Sequence, residues 1–113
     1  QSAGGSPRFL TIYRAVSPAE YNDMMNNGLR VNPDGSGYQE GKLFYRSSQD
    51  ALSNTQAYDA AFGQQSIIIE IQVPNNATVN FNYLQMDGYN VIFIEVTNLP
   101  TISNPLIIRP LDR

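Results

Sequence analysis

The chain has 113 residues and a net charge of −3, and it contains neither cysteine nor histidine. This length suits one domain, and the missing residue types exclude disulfides, cysteine-based zinc sites and catalysis by a histidine base. Because acidic residues outnumber basic ones, we do not expect a broad surface for binding nucleic acid. No apolar run approaches the roughly 20 residues of a membrane helix, so we do not expect a membrane span.

The beginning of the chain predicts a tail, a strand and a helix. Residues 1–8 are small and polar, and we interpret them as a flexible lead-in to one domain at 9–113. The lead-in is either the joint to a longer parent protein or a remnant of cloning. The β-branched and aromatic stretch at 9–16 predicts a strand. Ser-Pro-Ala-Glu at 17–20 has the features of a helix start, and this helix is predicted at 18–27, before a glycine.

The remaining elements follow a loop at 30–41. Residues 42–47 predict a second strand, which runs into a helix-capping sequence and a second helix at 49–62. Further strands are predicted at 66–73, 78–83, 90–97 and 105–109. Helices early and strands late indicate an α+β domain with a mixed or mostly antiparallel sheet.

Arg14 is the first candidate for chemistry. Strand alternation places it on the same face as Ile12 and Val16. A guanidinium group does not deprotonate, so among apolar neighbours it needs an acidic partner or a bound anion. Both explanations stay open at this point.

Ser47 and Ser48 lie where a strand becomes a helix. The free N–H groups at a helix N-terminus suit a phosphate, although simple capping explains the two serines equally well. The sequence has neither a phosphate-loop nor a dinucleotide-fold motif, and no acidic cluster has the spacing of a metal site.

The candidate carboxylates lie late in the chain. Glu95 shares a face of its apolar strand with Val91 and Phe93, so it is either buried and paired or it lies at the surface. Gln85 and Asp87 precede this strand, where they either contact a substrate or form a turn.

Arginine, serine and glutamate occur here in the order found in the Arg-Ser-Glu class of mono-ADP-ribosyltransferases. The stretch TIYRAVSPAEYNDMMNNGL resembles the opening strand and helix of that family, and SIIIEIQVP resembles a later core strand. The stretch GKLFYRSSQDALSNTQAYDAAFG resembles the Phe-x-Ser-Thr-Ser strand and the helix that follows it. The resemblance covers about 9–97 and implies an ADP-ribosyltransferase-like fold with a split sheet.

The resemblance also implies roles for individual residues. Arg14 would bind the phosphates of NAD, and Ser47 and Ser48 would orient the glutamate and the nicotinamide ribose. Tyr58, on the second helix, would lie near nicotinamide, and Glu95 would be the catalytic glutamate.

Two positions depart from the family pattern. Arg46 stands where the first serine of the Ser-Thr-Ser motif is expected. Arginine-specific members carry Glu-x-Glu or Gln-x-Glu, whereas Phe93 occupies the corresponding position before Glu95. Gln85-Met86-Asp87 is the rival for this motif, although it ends in aspartate.

The resemblance implies an enzyme that uses NAD as a co-substrate and needs no metal. It would transfer ADP-ribose to a macromolecular acceptor, either protein or nucleic acid, and release nicotinamide. The alternatives are an NAD glycohydrolase on the same fold and a non-catalytic binding domain in which Arg14 and Glu95 form a structural pair.

The small size and the lead-in resemble the C-terminal toxin domains of large Rhs-type polymorphic toxins of bacteria. This resemblance implies an effector that is delivered into the cytoplasm of a target cell. It also implies a cognate immunity protein as a partner, and no membrane partner.

Overall fold

The computed structural model describes residues 9–33, 35, 39–63, 66–74, 81–86, 88–102 and 107–111. Within these ranges the elements are β1 (Phe9–Val16), α1 (Pro18–Asn27), β2 (Gly41–Tyr45), α2 (Ser48–Phe62), β3 (Ile67–Pro74), β4 (Asn82–Met86), β5 (Tyr89–Glu95) and β6 (Ile107–Leu111). A short 3-10 helix at Leu99–Ile102 precedes β6. The predicted lead-in lies outside the described residues.

Helix α1 has the bounds that the sequence predicts, because both of its ends are encoded locally. The side chain of Ser17 accepts a hydrogen bond from the Glu20 N–H at 3.1 Å, and proline occupies the first turn. Gly28 ends the helix with a φ of 75°, and its N–H bonds the Met24 carbonyl. A residue with a side chain would adopt this backbone conformation only with strain.

Strand β4 lies later in the chain than predicted. Residues 78–83 were expected to form it, whereas the structure places β4 at Asn82–Met86 and leaves 75–80 outside the described residues. The reason is the hairpin with β5, in which Met86 pairs with Tyr89 and Gly88 has a φ of 83°. Such a tight turn requires the strand before it to run up to the turn.

The strands form one six-stranded sheet in the order β4-β5-β2-β1-β3-β6. Each neighbouring pair is antiparallel, which confirms the predicted α+β class and the antiparallel sheet. Among the described residues, β1 and β2 are registered at one pair, Tyr13 with Tyr45, whereas the other neighbours are registered over at least five pairs. The sheet is therefore loosely joined between β1 and β2.

The main core lies on one face of the sheet. On β1 it contains Ile12 and Val16, on α1 it contains Met24, and the loop after α1 contributes Leu29. The other members come mostly from the facing positions of the neighbouring strands: Phe44, Ile69, Ile71, Val73, Phe81, Ile92, Ile94 and Leu99. Arg14 occupies the β1 position between Ile12 and Val16, so this face carries a cation beside the core.

Helix α2 is held to the start of β3 by polar contacts. Thr55 and Asp59 both bond the Ser66 hydroxyl, at 3.2 Å and 2.7 Å. Ser66 and Ile68 are buried but do not belong to the main core cluster. Because side chains alternate along a strand, α2 lies toward the sheet face opposite to that cluster.

Candidate functional site

Of the two explanations left open for Arg14, the structure shows the acidic partner, and the bound anion stays a prediction. Its Nε donates to Glu20 Oε2 at 2.7 Å, and its Nη1 donates to the Leu43 carbonyl at 2.8 Å. The guanidinium carbon lies 5.8 Å from the centre of the Phe44 ring. About a fifth of the side chain (20%) stays exposed. The group is therefore fixed in orientation but is not sealed from a ligand.

Glu20 joins Arg14 to a second cation. Lys42 Nζ lies 2.7 Å from Glu20 Oε2 and donates to Asn32 Oδ1 at 3.1 Å. The side chain of Lys42 is only 3% exposed and that of Glu20 is 9% exposed. We call Arg14, Glu20 and Lys42 the charged cluster. Two cations and one carboxylate give it one net positive charge.

The pKa values in the charged cluster follow from burial and pairing. Burial opposes ionisation of Glu20, but Arg14 and Lys42 together outweigh it and hold the pKa of Glu20 below its usual 4.5. Burial lowers the pKa of Lys42, and the nearby Arg14 lowers it further, whereas Glu20 acts in the opposite direction. Glu20 is therefore a carboxylate at neutral pH and holds the two cations together.

The low pKa of Glu20 predicts a loss of stability in acid. Below pH 4.5 the unfolded chain binds a proton at Glu20 that the folded protein does not, so the free energy of unfolding falls as the pH drops through the folded pKa. We expect urea unfolding between pH 6 and pH 3 to show this fall, and Glu20→Gln to show a shallower one. Equal slopes for the two proteins would contradict the assignment.

Ser47 and Ser48 lie at the N-terminus of α2, as predicted. Ser47 is the cap residue, and its hydroxyl accepts a hydrogen bond from the Asp50 N–H at 3.1 Å. Ser48 is the first residue of the helix and is exposed. The capping role is therefore shown, and the role in ribose binding stays a prediction.

Glu95 is exposed at the end of β5, where its Oε1 accepts a long hydrogen bond of 3.4 Å from Asn82. It pairs with Gly41 at the start of β2. A Cβ at Gly41 would overlap the Ile94 carbonyl oxygen, so glycine allows the two strands to approach there. The surface alternative for Glu95 is thus confirmed.

The register separates Glu95 from the other predicted site residues. Gly41, which pairs with Glu95, is at the start of β2, whereas Ser47 follows the end of β2 at Tyr45. Because strands rise about 3.3 Å per residue, the length of β2 alone separates the two ends by roughly 13 Å. Tyr13, Tyr45 and Val91 are paired across three strands, so their side chains share one face of the sheet. Because side chains alternate along a strand, Glu95 lies on the face of Val91, whereas Arg14 lies on the opposite face. A structural pair between Arg14 and Glu95 is therefore wrong, because Glu20 is the acid that pairs with Arg14.

Gln85 lies at the sheet end that also carries Ser47. Its β4 position pairs with Asn90 of β5, and both residues line an open cavity with Arg46. Arg46 packs over the Tyr83 ring, with its guanidinium carbon 5.7 Å from the ring centre. The register pairs Tyr83 with Ile92 and Ile92 with Phe44, so the two aromatic rings lie on the same sheet face. Arg46 packs against the Tyr83 ring and Arg14 against the Phe44 ring.

Two predicted residues cannot be located in the site. Asp87 and the side chain of Tyr58 lie outside the described part of the structure. Two others were missed. The sequence indicates a capping role for Glu20 and places Lys42 at the start of a strand, whereas the contact between them joins residues 22 positions apart. A lysine in an apolar strand was the available signal.

The chain was compared with family models, with curated proteins and with solved structures, and none of the three comparisons found a match. Among the described residues, no helix combines the length and apolar character needed to cross a membrane. The same residues contain no group of three or more acidic side chains placed to bind a metal ion.

Proposed function

We propose that this domain is an NAD-dependent mono-ADP-ribosyltransferase with an ADP-ribosyltransferase-like fold. In this proposal it cleaves the bond between nicotinamide and ribose and transfers ADP-ribose to a macromolecular acceptor. The resemblance to toxin domains extends the proposal to a delivered effector that acts in the target-cell cytoplasm and is inhibited by a cognate immunity protein.

The sheet order supports this proposal. Arg14 lies on β1, and Ser47 follows the end of β2. The candidate carboxylates belong to the β4–β5 hairpin and to β5. The strands β5, β2 and β1 are neighbours in the sheet. The single registered pair between β1 and β2 fits the split sheet that the family resemblance implies. The sheet order thus places β1, which carries Arg14, beside β2, which leads to Ser47, and Gln85 lies at the same end of the sheet as Ser47.

The charged cluster is the observation that carries the proposal. Arg14 is oriented by Glu20 and the Leu43 carbonyl, and the cluster keeps one net positive charge although Glu20 neutralises one cation. The Nε and Nη2 atoms of Arg14 bond the two carboxylate oxygens of Glu20, so a pyrophosphate would use the remaining N–H protons on Nη1 and Nη2. The net positive charge of the cluster also favours such an anion.

The family resemblance and the strand register favour different residues as the catalytic carboxylate. The family resemblance favours Glu95. The register favours the Gln85-Met86-Asp87 motif, because Gln85 lies at the sheet end of Ser47 and on the face of Arg14, whereas Glu95 lies at the other end and on the other face. Paired isosteric variants, Glu95→Gln and Asp87→Asn, distinguish the two.

The proposed chemistry needs no histidine or cysteine. Nicotinamide leaves with the electrons of the glycosidic bond, the ribose passes through an oxocarbenium-like state, and the acceptor forms the new bond and loses a proton. Such a step depends on positioning and on a negative charge near the ribose. Arginine, serine and a carboxylate supply these functions.

The test follows both halves of NAD. Purified domain is incubated with adenine-labelled NAD and a bacterial lysate, beside Glu95→Gln and Asp87→Asn, and lysate alone is the control. Label on a macromolecule together with free nicotinamide is the expected result, and the variant that abolishes both identifies the carboxylate. If nicotinamide and free ADP-ribose appear but no macromolecule is labelled, the domain is a glycohydrolase and not a transferase. Intact NAD in every sample would overturn the proposal and leave a binding domain.

A further inference from the structure

A polar cavity lies on the sheet between the end of β2 and the β4–β5 hairpin. Its volume is about 300 Å³, and it is lined by Arg46, Tyr83, Leu84, Gln85, Asn90 and Val91. Small-molecule sites in proteins begin at about this size. The cavity is open to solvent, so a ligand can enter it from the surface.

The polar groups of this cavity are available to a ligand. Within the described part of the chain, Arg46 makes no ion pair, and the side-chain amides of Gln85 and Asn90 make no hydrogen bond. Packing over the Tyr83 ring restrains the Arg46 guanidinium without using its N–H donors. One restrained cation and two amides therefore face the same space.

These groups match the parts of a nucleotide. Arginine binds phosphate oxygens in a bidentate manner, and amide side chains donate to and accept from the edge of a base or a carboxamide. The Tyr83 side chain is 53% exposed, so it offers aromatic surface to a planar ring.

We propose that the cavity binds a nucleoside monophosphate group, with the phosphate on Arg46 and the base or carboxamide against Gln85 and Asn90. If the domain uses NAD, this group is one half of the dinucleotide, and that part of the inference rests on the proposed function. Affinity for a free mononucleotide does not depend on it.

Matched ligands test the proposal by calorimetric titration of the full chain. AMP and nicotinamide mononucleotide are compared with adenosine and nicotinamide riboside, which lack the phosphate. We expect Arg46→Gln to weaken the two phosphorylated ligands by about tenfold or more, the loss of one charge-assisted contact, and to leave the nucleosides unchanged. Gln85→Glu keeps the side-chain size but adds a negative charge, so it should also weaken the phosphorylated ligands.

Arg30→Gln is the matched control, because Arg30 is an exposed arginine that pairs with Asp23 rather than lining the cavity. It should bind AMP like the unmodified protein. No binding of either mononucleotide, or equal affinity in Arg46→Gln, would overturn the inference. Measuring nicotinamide release on the same proteins separates the two proposals. If nicotinamide release requires Arg14 but Arg46→Gln binds AMP with unchanged affinity, the enzyme proposal stands and the nucleotide site is wrong. If AMP binding requires Arg46 but no nicotinamide is released, the nucleotide site stands and the enzyme proposal is wrong.

Discussion

Replacing Arg14 with lysine should reduce NAD cleavage by at least about 100-fold, the scale of losing one key electrostatic contact in an active site. Lysine keeps a positive charge beside Glu20, so the domain should stay folded. It lacks the planar guanidinium group with which Arg14 bonds both Glu20 and the Leu43 carbonyl, and with which we propose that it binds a phosphate. Release of nicotinamide, measured by chromatography with NAD in excess, gives the rate.

The matched control for this experiment is Arg30→Lys. Like Arg14, Arg30 bonds a carboxylate on α1, here that of Asp23, but it is exposed and lies outside the charged cluster. It should cleave NAD at the unmodified rate. An Arg14→Lys protein that is folded and retains full activity would show that Arg14 is a structural residue only.

Replacing Glu20 with glutamine should lower the free energy of unfolding by about 3 kcal/mol or more, the range measured when one partner of a buried ion pair is removed. The loss is large because the side chain of Lys42, which is 3% exposed, would be left buried beside Arg14 without a carboxylate, and Arg14 would lose its acidic partner. Urea unfolding at neutral pH measures the difference.

Asp23→Asn provides the comparison, because it removes a carboxylate from the same helix. Its partner Arg30 is 45% exposed, so water replaces the lost contact and the stability should change little. Lys42→Met removes the buried cation and leaves Glu20 paired with Arg14, so it should cost less than Glu20→Gln. Equal losses in Glu20→Gln and Asp23→Asn would contradict a stabilising role for the charged cluster.

The elements that the sequence predicts best are those whose ends are encoded locally. Ser17 and Gly28 bound α1, and Ser47 caps α2, and these positions agree with the structure within one residue. Strand β4 was placed too early because its apolar pattern is weak and four of its five residues, Tyr83–Met86, are exposed. The hairpin with β5, a tertiary feature, decides where it lies.

The candidate site was predicted in part. Arg14 was identified because a cation between core positions requires a partner, but the sequence did not show that Glu20 is that partner. Glu95 was grouped with Ser47 because motif order says nothing about strand register. Pairing of Glu95 with Gly41 involves residues 54 positions apart, and a shift of one position would reverse the face of every side chain.

Release of nicotinamide from NAD is the measurement that tests the central claim most directly, because transfer and hydrolysis both produce it. The purified domain is incubated with NAD, with and without bacterial lysate, beside Arg14→Lys and lysate alone. The proposal predicts release that requires the domain and is lost in Arg14→Lys. NAD that stays intact with the folded domain, in the presence of lysate, would contradict it.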